Sequence, residues 1–249
     1  MKAILTYHSI DDSGSVISID AVTFRSHVQW LAESGVAVVS LQELVRLPDD
    51  ADAIALTFDD GFENFRAAAW PLLRAHAFPV TLFVVTDHVG GTNNWSRGPA
   101  ADVPHLPLLD WPSLVQLADE GVTLGSHTRT HPDLSVCTVE RVSEELASAA
   151  CKLREETGGD AECFAYPYGG YNLAVAHAAA RVHALACTTD LRGVTSADDP
   201  FLLPRLDAYY LRQPGRLERF GSSAFRNYMW LRARGRQLRR VLTAGVNGR

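Results

Sequence analysis

No window of this 249-residue chain approaches the roughly 18 consecutive apolar residues that a membrane-spanning helix needs, although 47% of its residues are hydrophobic. Met1-Lys2 is followed by only Ala3-Ile4-Leu5 before polar residues begin, which lacks the hydrophobic region of a signal peptide. These two absences make a cytoplasmic location the expectation. The four cysteines, Cys137, Cys151, Cys163 and Cys187, include no C-x-x-C pair. That spacing argues against a disulfide framework or a thiolate metal site and for reduced, partly buried thiols. Internal repeats and low-complexity segments are also missing, and the length suits a single α/β domain with a full core.

Charge is not spread evenly. Residues 212–249 hold ten Arg against one Glu, about +9, which leaves residues 1–211 at about −15 within the total of −6. An acidic body of this kind does not look like a nucleic-acid binder. In the tail, Phe225, Met229, Trp230 and Leu238 alternate with Arg226, Arg232, Arg234 and Arg236. This resembles a basic amphipathic helix that could lie on an anionic bilayer, giving peripheral membrane contact. The plain alternative is a terminal helix packed on the body with a solvated basic face. The chain therefore divides into a body, 1–211, and a basic helical tail, 212–249.

Short apolar runs at 3–7, 36–39, 53–58, 80–85, 122–125, 162–165 and 183–187 read as strands, and helical periodicity occupies 21–34, 41–47, 63–76, 112–120, 138–157 and 172–182. Asp20, Ser40, Asp110, Thr138 and Asn172 stand where side-chain caps would start helices. Strands alternating with helices predict an α/β fold with a parallel sheet. Between 86 and 110 a Gly- and Pro-rich loop carries Gly98, Pro99, Trp95, His88 and His105. Solvated loop residues are the ordinary reading of these side chains, so they stay outside the expected site.

Chemistry concentrates just after the strands, at the end of a parallel sheet where such folds place their sites. Leu56-Thr57-Phe58-Asp59-Asp60-Gly61 sets two adjacent carboxylates at the end of an apolar run. Burying either without a partner costs several kcal/mol, so the pair points to a cation or a proton relay between them. Ordinary Asp-Gly turn chemistry is the alternative. Gly125-Ser126-His127-Thr128-Arg129-Thr130-His131-Pro132 follows another apolar run. Pro132 holds His131 to an extended or turn conformation, which places both imidazoles on a loop. Two His and one Asp leave coordination positions open for water and substrate, which suits a catalytic metal better than a structural one.

Together with Phe164-Ala165-Tyr166-Pro167-Tyr168-Gly169, and in this order, these segments resemble the first three motifs of the NodB-type polysaccharide deacetylases, the family 4 carbohydrate esterases. The resemblance covers roughly the first two hundred residues and implies a distorted, incomplete (β/α) barrel with seven strands. It implies Asp59 as general base, Asp60, His127 and His131 as ligands of a divalent metal, and the Tyr168 backbone N–H as an oxyanion donor with its ring against the sugar. Ala165 stands where that family usually has an Arg that orients the base, and the usual Leu-x-His motif is missing near the end of the chain. Ile4-Leu5-Thr6-Tyr7-His8-Ser9-Ile10 instead resembles the poly-N-acetylglucosamine deacetylase branch, in which the acid-bearing strand opens the domain. His8 then takes the acid role, against the alternative of a packed strand-end histidine. Arg205, in Leu203-Pro204-Arg205, is the candidate to supply the missing charge beside the base.

The resulting expectation is a metal-dependent hydrolase that removes an N-acetyl group from an amino sugar in a polysaccharide, an oligosaccharide or a lipid-linked intermediate. Zn²⁺ is the default ion, with Co²⁺ or Ni²⁺ also compatible with the ligand set. Alternatives are removal of a formyl or other small acyl group, a catalytically silent carbohydrate-binding protein, and a non-haem iron oxygenase built on the same two-His, one-carboxylate set.

Overall fold

A computed structural model of the chain describes residues 1–95 and 103–246. Gly98 and Pro99 of the Gly- and Pro-rich loop, and the last three residues of the 212–249 tail, lie outside the described residues. Seven strands form the sheet: β1 Lys2–Tyr7, β2 Ala53–Phe58, β3 Val80–Val84, β4 Thr123–Ser126, β5 Cys163–Ala165, β6 Leu185–Cys187 and β7 Leu206–Asp207. Their order is β7-β1-β2-β3-β4-β5-β6, every pairing is parallel, and the sheet curls into a half-barrel. All six residues of β2 are buried, as expected when a parallel sheet is covered on both faces.

The run at 36–39 contributes only Ala37–Val38, which pairs with Ala53–Ile54 beside the main path. The seventh strand is β7 instead. With two residues, it shows no hydropathy period of its own, and its pairing of Leu206 with Leu5 and Asp207 with Thr6 is fixed by the tertiary fold.

Helices α1 Ala21–Glu33, α2 Leu41–Leu44, α3 Trp70–Ala75, α4 Trp111–Asp119, α5 Val139–Thr157, α6 Leu173–Ala179 and α7 Ser223–Val246 accompany the sheet. Asp20, Ser40, Asp110, Thr138 and Asn172 each accept a backbone N–H three residues on. The helix expected over 63–76 begins as a π-turn at Phe65–Ala69 before α3. Pro71 lacks an N–H and its ring crowds the preceding turn, so the ladder widens there.

Tyr7 stacks on Phe58 with ring centroids 5.0 Å apart, and Phe58 meets Phe65 edge-on at 4.8 Å. This aromatic layer fixes the height at which the chain leaves β1 and β2. The gap between β7 and β6 is crossed by the segment joining them, where Val194 N–H donates to Lys2 O at the opposite end of β1. Leu217, Phe225 and Met229 bury in the same core as β1, so the start of the basic tail packs on the body.

Candidate active site

Tyr7 pairs with Phe58, so His8 and Asp59 leave the sheet side by side. His8 Nε2 lies 3.7 Å from Asp59 Oδ2. Asp60 and Gly61 then both take left-handed backbone, φ 76° and 78°, which turns the chain so that the two adjacent carboxylates face different partners. Asp59 and Asp60 are both buried.

Arg205 meets Asp59 with a bidentate fork, Nη1 to Oδ1 at 2.6 Å and Nη2 to Oδ2 at 2.7 Å. Its Nε donates to Thr188 O at 2.9 Å and Nη1 also donates to Thr6 Oγ1 at 2.7 Å. The guanidinium is 2% exposed, and a fork of this geometry aligns a carboxylate in a way an ammonium cannot. Burial alone would raise the Asp59 carboxyl, but Arg205, with His127 and His8, outweighs it and holds Asp59 well below the usual carboxylate range.

On the other side, His127 Nε2 and His131 Nε2 stand 3.5 and 3.4 Å from Asp60 Oδ1. Burial raises Asp60 while His131, His8 and His127 lower it further, leaving it below its ordinary value. His127 Nδ1 lies 2.8 Å from Ala165 O. That carbonyl can only accept, so Nδ1 carries the proton and the Nε2 lone pair is turned toward Asp60. Burial pushes His127 down to about 4, which keeps it neutral near pH 7.

The His127–His131 loop is bent by two more left-handed residues, Thr128 at φ 68° and His131 at φ 58°, with Thr128 Oγ1 accepting from His131 N–H at 3.0 Å. Glu145 of α5 holds it from below. One carboxylate oxygen accepts from Arg129 N–H and Thr130 N–H, both at 2.8 Å, and the other accepts from Thr130 Oγ1 and pairs with Arg141 Nη2, both at 2.6 Å. Among the described residues five non-glycines have positive φ, and four of them are Asp60, Thr128, His131 and Tyr168. Strain of about 1–3 kcal/mol at each such position collects where side-chain direction matters most.

The ligand atoms of Asp60, His127 and His131 lie within 4.8 Å of one another. Asp60 Oδ1 is buried without a hydrogen-bond partner. A desolvated carboxylate oxygen facing two imidazole nitrogens, one of them the His127 lone pair, is costly unless a cation lies among them. The set fits a divalent metal of the Zn²⁺, Co²⁺ or Ni²⁺ kind.

Tyr168 is 50% exposed, sits at φ 58° in the Pro167–Gly169 turn, and sets its ring edge-on to His131 at 4.6 Å. Trp95 packs on His131 at 4.8 Å and on His88 at 4.8 Å. Two aromatic rings thus flank the His131 imidazole. Trp95 lay outside the site expected from sequence because a solvated loop residue was the ordinary reading of a tryptophan in so Gly- and Pro-rich a segment. Glu145 reads in sequence only as one more acid of α5. Asp207, whose carboxyl is pushed up by burial against the opposing charge of His8, belongs to the strand that hydropathy does not display.

The family profile described as polysaccharide deacetylase matches residues 46–185. The chain is 25% identical over 200 residues to YxkH of Bacillus subtilis (strain 168), whose own assignment as a polysaccharide deacetylase is provisional, covering 78% of this chain and 66% of that protein. It is 24% identical over 168 residues to the poly-beta-1,6-N-acetyl-D-glucosamine N-deacetylase of Staphylococcus epidermidis, covering 62% of this chain and 55% of that protein. The chain thus spans about two thirds or less of the length of these relatives. Its fold is similar to that of the Streptococcus pyogenes deacetylase PplD in complex with acetate, with a TM-score of 0.70, 23% identity, and coverage of 83% of this chain and 91% of that one. IcaB from Ammonifex degensii gives a TM-score of 0.69 at 23% identity, covering 83% and 93%.

Proposed function

Because the chain belongs to the polysaccharide deacetylase family, we propose that it is a metal-dependent N-deacetylase acting on an N-acetylated amino sugar, in a polysaccharide, an oligosaccharide or a lipid-linked intermediate. The observation that carries this reading is the adjacency of two differently partnered carboxylates, Asp59 gripped by Arg205 and Asp60 facing His127 and His131. The name of the Staphylococcus epidermidis relative supports the amide of an amino sugar as the bond attacked.

A divalent cation held by Asp60, His127 and His131 would polarise the acetyl carbonyl and lower the pKa of water at the site. Asp59 accepts the proton as the water oxygen bonds to the carbonyl carbon. Arg205 keeps that carboxylate ionised and aimed, leaving each oxygen a further lone pair for the proton. The Tyr168 backbone N–H donates to the developing oxyanion. His8 gives its proton to the sugar nitrogen as the C–N bond breaks, so the products are acetate and the free amine. Tyr168 and Trp95 wall the groove, presenting ring faces and edges to the pyranose.

Acetate release from N-acetylglucosamine oligosaccharides by protein loaded with Zn²⁺, Co²⁺ or Ni²⁺ tests the reading. Removing the metal, or changing Asp59→Asn or His8→Ala, should lower turnover by about 10²–10⁴. Unimpaired turnover by Asp59→Asn, or no acetate from any N-acetylated sugar with any of the three ions, would overturn it. Oxygen-dependent turnover with iron alone would favour the oxygenase chemistry instead.

A further inference from the structure

A cavity of about 780 Å³ lies away from the candidate active site, between α7 and residues 189–195 of the segment that crosses the barrel gap. Its apolar lining includes Met1, Leu191, Val194, Met229 and Trp230, and its cations are Lys2, Arg192, Arg226, Arg234 and Arg236. Two carboxylates, Asp49 and Asp190, also line it. Asp49 is neutralised by Lys2 Nζ at 3.1 Å, and Arg192 is committed to Asp198. Among the described residues Arg226, Arg234 and Arg236 form no salt bridge with a carboxylate. A protein of net charge −6 thus turns three such arginines toward one largely apolar cleft.

The helix that borders the cleft also carries exposed hydrophobic side chains, of which Trp230 lines the cleft itself. Trp230, Leu231 and Leu238 on α7 are 57%, 61% and 66% exposed, and the Arg234 guanidinium lies over the Trp230 ring at 5.2 Å. On the inner side of the same helix Phe225 and Met229 are buried in the main core. Packing on the body therefore does not account for the outer apolar side chains. No helix among the described residues is long and apolar enough to cross a membrane, and a cationic helix with an exposed Trp and two exposed Leu suits the boundary between headgroups and acyl chains.

We propose that this cleft is an anionic-phospholipid site. The headgroup phosphate is held by Arg226, Arg234 and Arg236, the proximal acyl carbons lie on Met229 and Leu191, and Trp230, Leu231 and Leu238 enter the bilayer surface. Helix α7 starts beside the amino end of the sheet, where Gly221 lies near Asp52 and Met1, and reaches Arg236 where that residue's charge acts on Asp207 near His8. It continues to Val246, about 15 Å further at 1.5 Å per residue.

The test is co-sedimentation of the full chain with phosphatidylcholine vesicles with and without phosphatidylglycerol, and quenching of tryptophan fluorescence by brominated acyl chains. Binding should require the anionic lipid, weaken with salt, and fall at least tenfold in Arg226→Glu/Arg234→Glu. Bromolipid quenching should be largely lost in Trp230→Phe. Circular dichroism and the unfolding midpoint check that the variants remain folded, and neither readout depends on catalytic activity. Absence of sedimentation with anionic vesicles would overturn the proposal. So would binding indifferent to the double charge reversal, quenching retained in Trp230→Phe, or saturable binding of inorganic phosphate without any partition into vesicles.

Discussion

A carboxylate is a good orienter of water only if it is itself oriented, and Asp59 owes its orientation to one side chain. The Arg205 fork supplies two parallel hydrogen bonds within a buried pair. Lysine would keep the charge and lose the fork. Arg205→Lys should therefore lower kcat at least tenfold with a smaller effect on KM. It should also move the acid limb of the pH–rate profile upward, because the weaker partner lets burial raise the Asp59 carboxyl. A profile coinciding with that of the parent protein would show that Arg205 is structural only. The pairing was open to inference from sequence because a family position normally filled by Arg holds Ala165, and a buried carboxylate still needs a cation. The geometry was not legible there, since nothing in Leu203-Pro204-Arg205 shows which strand it joins.

Elements bring the candidate metal ligands to one point. Asp60 and the two imidazoles stand on loops whose directions are set by left-handed residues, and the His loop is pinned by α5 through Glu145. Glu145→Ala would leave two backbone N–H groups and Thr130 Oγ1 without their acceptor and Arg141 without its buried partner. Calorimetric titration should then show metal affinity reduced by about 10–100-fold. Denaturant unfolding should show a loss of about 2–3 kcal/mol. Unchanged affinity would mean that the loop holds its shape unaided. Helix starts were legible in sequence because each cap is a local bond, and Asp20, Ser40, Asp110, Thr138 and Asn172 all make it. The π-turn before α3 and the two-residue β7 were not, because their form depends on what packs against them.

At the scale of the whole molecule, buried imidazoles make the fold acid-sensitive. His183 donates Nδ1–H to Ala161 O at 2.7 Å, stacks on Phe164, and is pushed down to about 4 by burial. The unfolded chain takes up that proton near pH 6.5, so the contribution of His183 is fully present above that pH and disappears as the pH falls toward 4. It should amount to about 3 kcal/mol, and His183→Gln should flatten that part of the curve of unfolding free energy against pH measured in urea. Equal slopes for parent and variant would remove His183 as the cause. His127 acts in the same direction, and the depressed carboxyls of Asp59 and Asp60 extend the loss to more acid conditions. The parallel half-barrel was legible at this scale from alternating apolar runs and amphipathic stretches. Its closure was not, because the two-residue β7 and the segment that crosses the gap are specified by contacts with β1 rather than by any pattern of their own.

Asp59 and Arg205 are separated by 146 positions. β1 and β2 both precede Arg205 in the chain, so until that residue is made Asp59 has His8 beside it but no guanidinium. The guanidinium that grips Asp59 stands one residue before β7, so this pair can form only after nearly the whole sheet has been made. A chain stopped short of residue 205 should therefore lack the guanidinium that holds the Asp59 carboxyl below its usual range.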